Sequence, residues 1–287
     1  MGKDALWNAL RNKNDEFYTS YEDIESMLSK HPDFFQNRNV YCNCDSDKSN
    51  FYVFFIQNFK KYNLKSLTCT CYNSQFSPGE MWKTYDGVNI QHTVLKGNGS
   101  FSSNECLNEL EKCDIVITNP PFSKARLFVD ILYEYEKDFL IICSNIFFTY
   151  KVMNDRIVKH KMFMSKELDL SFENTNQKVM CRWYTNIQKI SDLKELDTSV
   201  KLDLNDTKSY ERVFDKRCKL SAICVNRVKK IPFDYYDLIC VPITVFDYDW
   251  EKYFDFVSEF WDALSEKDQK NKFVRICLKR KQKECPT

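Results

Sequence analysis

Asp114-Ile115-Val116-Ile117-Thr118-Asn119-Pro120-Pro121-Phe122-Ser123 is the stretch on which the fold turns. Residues 114–118 form the cleanest strand signal in the chain, a β-branched run that suits a pleated, buried surface. It stops at Asn119, because two successive prolines fix φ and remove two N–H donors. A helix is expected from Ser123 to Tyr135, then a strand over Phe139 to Cys143. The same rhythm extends upstream. Ala5 to Leu10 reads as a short helix, and Ser20 caps a helix whose apolar face is Ile24, Met27 and Leu28. A strand over Val40 to Cys44 leads into a polar turn and an aromatic helix from Phe51 to Phe59. Leu64 to Cys71 is a second strand, Tyr72 to Asn89 a loop, and Ile90 to Leu95 a third strand. Ser103 starts a further helix that runs to Glu111.

Strands alternating with helices predict an α/β fold with a mostly parallel sheet. Ligands of such sheets sit at the carboxyl ends of the strands. Three polar segments, 44–50, 97–101 and 118–123, fall at those ends. Downstream, Val179 to Tyr184, Leu220 to Val225 and Leu238 to Val245 read as strands, with a long polar connection over 190–210. Tyr253, Phe256, Val257, Phe260 and Leu264 share a helical stripe. Residues 270–283 carry seven basic side chains and no acidic one, and read as a basic tail.

Composition excludes several function classes. The 42 basic and 41 acidic residues leave a net charge of +1, which rules out a histone-like basic coat but not local basic patches. The 5 glycines occupy positions 2, 79, 87, 97 and 99, so neither G-x-G-x-x-G nor a P-loop can be spelled. The 13 cysteines contain no C-x-x-C, and with 3 histidines they do not make a zinc signature. They read as small buried hydrophobes of a reducing compartment. No apolar run is long enough to span a membrane. The opening Met-Gly-Lys-Asp carries no signal segment, so a cytoplasmic location is expected.

The chemistry lies in Asn119-Pro120-Pro121-Phe122. The prolines supply no N–H donors, so the carbonyls of Asn119 and Pro120 are expected to be left as acceptors pointing into the cleft, and the Asn119 amide oxygen adds another. Phe122 supplies an aromatic face. Such a set grips a planar exocyclic amine: acceptors take its two hydrogens, and the ring stacks on the base. An amine held in this way becomes nucleophilic toward an electrophilic methyl group, by positioning and electrostatics alone.

At this point the chain resembles the S-adenosylmethionine-dependent amino-methyltransferases, and most closely the EcoRI-type adenine-specific DNA methyltransferases. The residues that carry the resemblance are 14–19, 40–45 with 49–51, 97–101, 114–123, 139–150, 182–186 and 241–244, in that order. The resemblance implies a Rossmann-like class I methyltransferase sheet of seven strands. It implies an S-adenosylmethionine-binding catalytic domain over 1–190 and a target-recognition region over 191–287 packed on the core. Asn119, Pro120, Pro121 and Phe122 are then the catalytic loop. Phe17, Tyr18 and Thr19 match the element that holds the methionine end of the cofactor. Cys44 and Asp45, with Asn50, match the loop after the first strand, where related enzymes have a glycine-rich turn. Gly97-Asn98-Gly99 replaces the usual Gly-Asp-Gly, so Asn98 keeps an acceptor but loses a charge, and Ser100 and Phe101 complete that segment. Trp183 and Tyr184 stand where the family places aromatics near the target base. No metal is implied.

The implied reaction is methyl transfer to N6 of adenine in duplex DNA, with the base flipped out of the helix. Candidate phosphate contacts are Lys151, Arg156, Lys159 and Lys161; Lys216, Arg217, Lys219, Arg227, Lys229 and Lys230; and the tail. A cognate restriction endonuclease is a candidate partner. The alternatives are an RNA or protein-glutamine N-methyltransferase, or an inactive nucleic-acid-binding homologue.

Overall fold

Three serines set helix starts in the N-terminal half. Ser20 accepts a hydrogen bond from the Asp23 amide, Ser49 from Tyr52 and Ser103 from Cys106. Each satisfies an amide that a helix leaves unpaired. They open α1 (Tyr21–Leu28), α2 (Asn50–Gln57) and α3 (Asn104–Lys112). The computed structural model describes residues 19–165, 168–170, 179–188, 190, 193–215, 220–260 and 275–281. The 5–10 helix, Phe17, Tyr18 and the 216–219 cluster lie outside these. The chain divides into two compact units, Met1–Ser191 and Asp192–Thr287.

The first unit is built on a mixed sheet of nine strands. They are β1 (Asn39–Asn43), β2 (Ser66–Cys71), β3 (Glu80–Thr84), β4 (Gln91–Val94), β5 (Ile115–Thr118), β6 (Asp138–Ser144), β7 (Phe163–Met164), β8 (Leu168–Leu170) and β9 (Val179–Thr185). Their order is β4-β3-β2-β1-β5-β6-β9-β7, with β8 also on β9. The centre, β2-β1-β5-β6, is parallel. Helices α2, α3 and α4 (Ala125–Glu134) lie on the connections between these strands. The flanks are antiparallel: β3 and β4 on one side, β9 with β7 and β8 on the other.

Two expectations change here. The stretch 72–89 is not all loop, because Glu80–Thr84 pairs with β2. The next strand, Gln91–Val94, folds back on it as an antiparallel hairpin with all four residues exposed, not as a third parallel strand. Cross-strand stacking of Trp82 on His92 at 5.1 Å supports the hairpin. An ion pair of 2.7 Å between Lys83 and Glu109 ties it to α3. The sheet therefore has nine strands where seven were expected.

One face of the parallel centre is apolar. Val40, Cys42, Leu67, Cys69, Ile115, Ile117, Leu140 and Ile142 pack there with Phe51, Phe54 and Phe55 of α2. Trp183 and Tyr184 are also buried, at 1% and 0% exposure.

The second unit holds a five-stranded sheet, β10-β11-β12-β14-β13. Its strands are β10 (Tyr210–Asp215), β11 (Leu220–Val225), β12 (Leu238–Pro242), β13 (Phe254–Phe260) and β14 (Arg275–Arg280). Two further corrections arise. The stripe beginning at Tyr253 is a strand over its described part, with a bulge between Phe256 and Ser258. Phe254 is buried and Asp255 exposed, the alternation of a pleat; Leu264 lies outside the described residues. The basic tail is likewise a strand at Arg275–Arg280, hydrogen-bonded on both sides.

Candidate active site

The carboxyl ends of β1, β2 and β5 meet in a polar network. Thr70 donates to the Asn43 side-chain oxygen at 3.1 Å and shares a 2.7 Å hydrogen bond with the Tyr41 hydroxyl. The Thr118 hydroxyl faces both the Asn43 main-chain oxygen and, at 2.5 Å, Asp45 Oδ2. The Asp45 amide donates to Thr70 O at 3.0 Å. Asn43, Asp45, Thr70 and Thr118 are all buried, between 0% and 8% exposed. Burial pushes the Tyr41 phenol well above its ordinary range.

Cys44, between Asn43 and Asp45, has φ +77°. This is the left-handed conformation that glycine adopts without cost. The glycine-free loop therefore makes a left-handed turn through Cys44 itself.

Gly97-Asn98-Gly99 reaches the same end of the sheet through the hairpin. Gly99 has φ +76°, and a Cβ there would lie 2.0 Å from the Cys71 carbonyl oxygen. Gly79 crosses it so closely that its own Cβ would meet Gly99 Cα at 2.4 Å. Only two glycines allow this crossing. Glu105 of α3 accepts from the amides of Lys96 at 2.9 Å and Gly97 at 2.7 Å. Those two amides hold its carboxyl below the usual range. Asn98 Oδ1 accepts from the Ser100 amide at 3.1 Å. Asn98 and Ser100 are half-buried, whereas Phe101 turns into the core, edge-on to Phe128 at 5.0 Å.

Asn119 follows β5 directly and is half-buried. Its Nδ2 donates to Thr19 Oγ1 at 3.3 Å. The Thr19 carbonyl in turn accepts from Asn50 Nδ2 at 2.9 Å. Thus Thr19, Asn50 and Asn119 come together from three distant parts of the chain. The Pro121 carbonyl is taken by the Lys124 amide at 2.9 Å. No donor among the described residues takes the Pro120 carbonyl. Pro120 is buried and Phe122, 9% exposed, packs in the apolar core cluster.

The structure thus brings together Thr19, Cys44, Asp45, Asn50 and the Asn119–Phe122 loop, with Asn98 and Ser100 beside the end of β2. Sequence reading gave no site role to Asn43, Thr70, Thr118 and Glu105, although Asn43 and Thr118 lie in segments it singled out. A signal for two of them was present: in Ser66-Leu67-Thr68-Cys69-Thr70-Cys71 and at Thr118, a strand carries hydroxyls at its carboxyl end.

The candidate basic sets fare unequally. Arg156 is paired with Asp130 at 2.9 Å and lies over the Tyr133 ring at 4.0 Å. Lys159 is paired with Asp155 at 2.8 Å. Arg227, Lys229 and Lys230 are exposed, with Lys230 3.7 Å from Asp206.

Comparison with known proteins gives a consistent picture. The family model described as "Adenine-specific methyltransferase EcoRI" matches residues 5–285. The type II methyltransferase M.EcoRI of Escherichia coli is 31% identical, with 96% of each chain covered. M.MgeORF184P of Mycoplasma genitalium is 32% identical over 93% of this chain and 90% of its own. M.MpnI of Mycoplasma pneumoniae is 33% identical over 82% of this chain and 79% of its own. No solved structure is a significant match.

Proposed function

The chain belongs to the EcoRI family of adenine-specific methyltransferases, and from that premise we propose how it works. It transfers a methyl group from S-adenosylmethionine to N6 of an adenine in duplex DNA, and the base is flipped into the site. The observation that carries this reading is Asn119 at the carboxyl end of β5, its amide held by Thr19 beside the Asp45–Thr118 network. The order β2-β1-β5-β6, then the reversed β9, then β7, supports reading the sheet as the Rossmann-like class I methyltransferase type. The β3–β4 hairpin stands where that type would carry a further parallel strand.

The residues present fit the cofactor. A left-handed turn at Cys44 brings main chain to the end of β1, and the half-buried Asn98 and Ser100 offer polar atoms beside β2. Cys44, Asp45, Asn50, Asn98 and Ser100 would hold it, together with Phe17 and Tyr18; Phe101 anchors its turn through Phe128. When bound, the cofactor supplies an electrophilic methyl group on a sulfonium sulfur. Asn119 Oδ1 and the Pro120 carbonyl would accept the two hydrogens of the adenine amine and leave its lone pair free to act as the nucleophile. Pro120 and Pro121 keep the acceptors rigid, and Phe122, seated in the core cluster, backs the loop on which the base would lie. The unit Met1–Ser191 carries this chemistry, and Asp192–Thr287 reads the target. A cognate restriction endonuclease fits such an enzyme, as does a cytoplasmic location. No described helix is long and apolar enough to cross a membrane.

Labelled cofactor offered side by side to duplex DNA, single-stranded DNA, RNA and total protein tests the reading. Label should appear as N6-methyladenine in duplex DNA. Label confined to RNA or protein would overturn the substrate, and no transfer to any would overturn the activity. Asn119→Ala should lower turnover by roughly 100- to 1000-fold, the loss of one preorganised contact, with cofactor binding little changed.

A further inference from the structure

Two threonines hold Asn119. Thr118 fixes its main chain, because the Thr118 hydroxyl is shared between Asn43 and Asp45. Thr19 engages its side chain, where Nδ2 donates to Oγ1 at 3.3 Å. Thr19 is itself 3% exposed and pinned through its carbonyl to Asn50 of α2. An asparagine amide has two ends of opposite character: the NH2 donates and the oxygen accepts. Rotated by half a turn, Asn119 would point donors at the donors of the target amine.

We infer that Thr19 orients Asn119 by accepting from Nδ2, which aims Oδ1 at the target amine. The inference rests on the assignment of Asn119 as an acceptor for that amine. Thr19 is a positioning residue in this scheme, since it acts through Asn119. This differs from holding the methionine end of the cofactor, the part its position in the N-terminal element implies. The two parts leave different kinetic signatures: an orienter changes turnover at saturating substrates, whereas a cofactor ligand changes cofactor affinity.

The test uses full-length protein with Thr19→Val, which keeps the shape and removes the acceptor, and Thr19→Ser, which keeps the hydroxyl. Turnover is measured at saturating S-adenosylmethionine and duplex DNA, cofactor affinity by calorimetry, and folding by thermal melting. Thr19→Val is expected to lower kcat by roughly 10- to 100-fold, the scale of losing an orienting partner. Its cofactor Kd should stay within about twofold and Thr19→Ser should recover most of kcat. A raised cofactor Kd with normal kcat would make Thr19 a cofactor ligand and overturn the inference. Equal losses in Thr19→Ser and Thr19→Val, or a lowered melting temperature in step with the lost turnover, would also overturn it. If the unsubstituted protein methylates adenine and Thr19→Val matches it, only the role of Thr19 falls. If the unsubstituted protein transfers no methyl group, the catalytic assignment falls and the inference with it.

Discussion

Cys44 shows how a single side chain can stand in for a glycine. At φ +77° its Cβ crowds the following carbonyl, a cost of roughly 1–2 kcal/mol. Cys44→Gly removes that crowding but adds freedom to the unfolded chain, so stability should change by less than about 1 kcal/mol. Cys44→Val places a β-branched residue in the same conformation and should lose roughly 1–3 kcal/mol. Urea midpoints check the order, and a valine variant as stable as the glycine one would contradict the strained turn. Asn98 is the second departure from the pattern of related enzymes. Its Oδ1 already accepts from the Ser100 amide, and aspartate would keep that bond and add a charge. Asn98→Asp should therefore tighten S-adenosylmethionine binding without altering the fold, as calorimetry and melting curves would show. Weaker binding would place the cofactor's donors elsewhere.

At the scale of elements, α3 controls the Gly97–Gly99 turn through one carboxylate. Glu105 accepts from two amides, which hold its pKa below the ordinary 4.5. A depressed carboxyl contributes stability that is fully present above its ordinary value and lost as pH falls through the folded value. The turn should therefore loosen as the solution is acidified below about pH 4.5. Glu105→Gln cannot titrate, so its melting temperature should fall less over that acid range while starting lower at neutral pH. Parallel acid limbs in the two proteins would remove Glu105 from the account. The same region shows what was legible in the sequence. The strands at 40–44, 64–71, 114–118 and 139–143, and the serine caps, follow from periodicity and local hydrogen bonding, and the structure has them within a residue or two. The strand at 90–95 was legible and stands at Gln91–Val94, but β3 and the hairpin pairing were not, because Glu80–Thr84 is short and of mixed polarity and its pairing with β2 is a tertiary fact. Nor was the Thr19–Asn119 contact, which joins residues a hundred positions apart. The stripe at 253–260 misled because large apolar residues three and four apart fit a helix, whereas the pairing with β14 imposes a pleat.

At the scale of the molecule, the described part of the last basic stretch, 275–281, is structural; 270–274 and 282–283 lie outside the described residues. β14 lies between β12 and β13, and Ile276, Cys277 and Leu278 are fully buried. Arg275 reaches the Val225 carbonyl at 2.8 Å and Asn226 Oδ1 at 3.1 Å. The Arg280 guanidinium lies over the rings of Phe233 and Tyr236, at 5.1 and 4.8 Å. The Lys281 ammonium donates to the Glu251 carbonyl at 2.7 Å. Replacing Arg280 and Lys281 by alanine should therefore cost stability as well as charge. A chain ended after Phe260 tests the point more severely. It forfeits roughly 3–6 kcal/mol from Ile276 and Leu278 alone, set against the 5–15 kcal/mol that usually holds a domain folded. It also leaves β12 and β13 without the strand that joins them. The second unit should unfold, while Met1–Ser191, which has its own sheet and core, should still bind S-adenosylhomocysteine. Limited proteolysis should then degrade the chain from about residue 192 onward and spare the first unit. DNA methylation should vanish while calorimetric cofactor binding persists. If the shortened chain resisted the protease and still methylated DNA, β14 would be an appendage and the recognition role proposed for the second unit would have to rest on its other four strands.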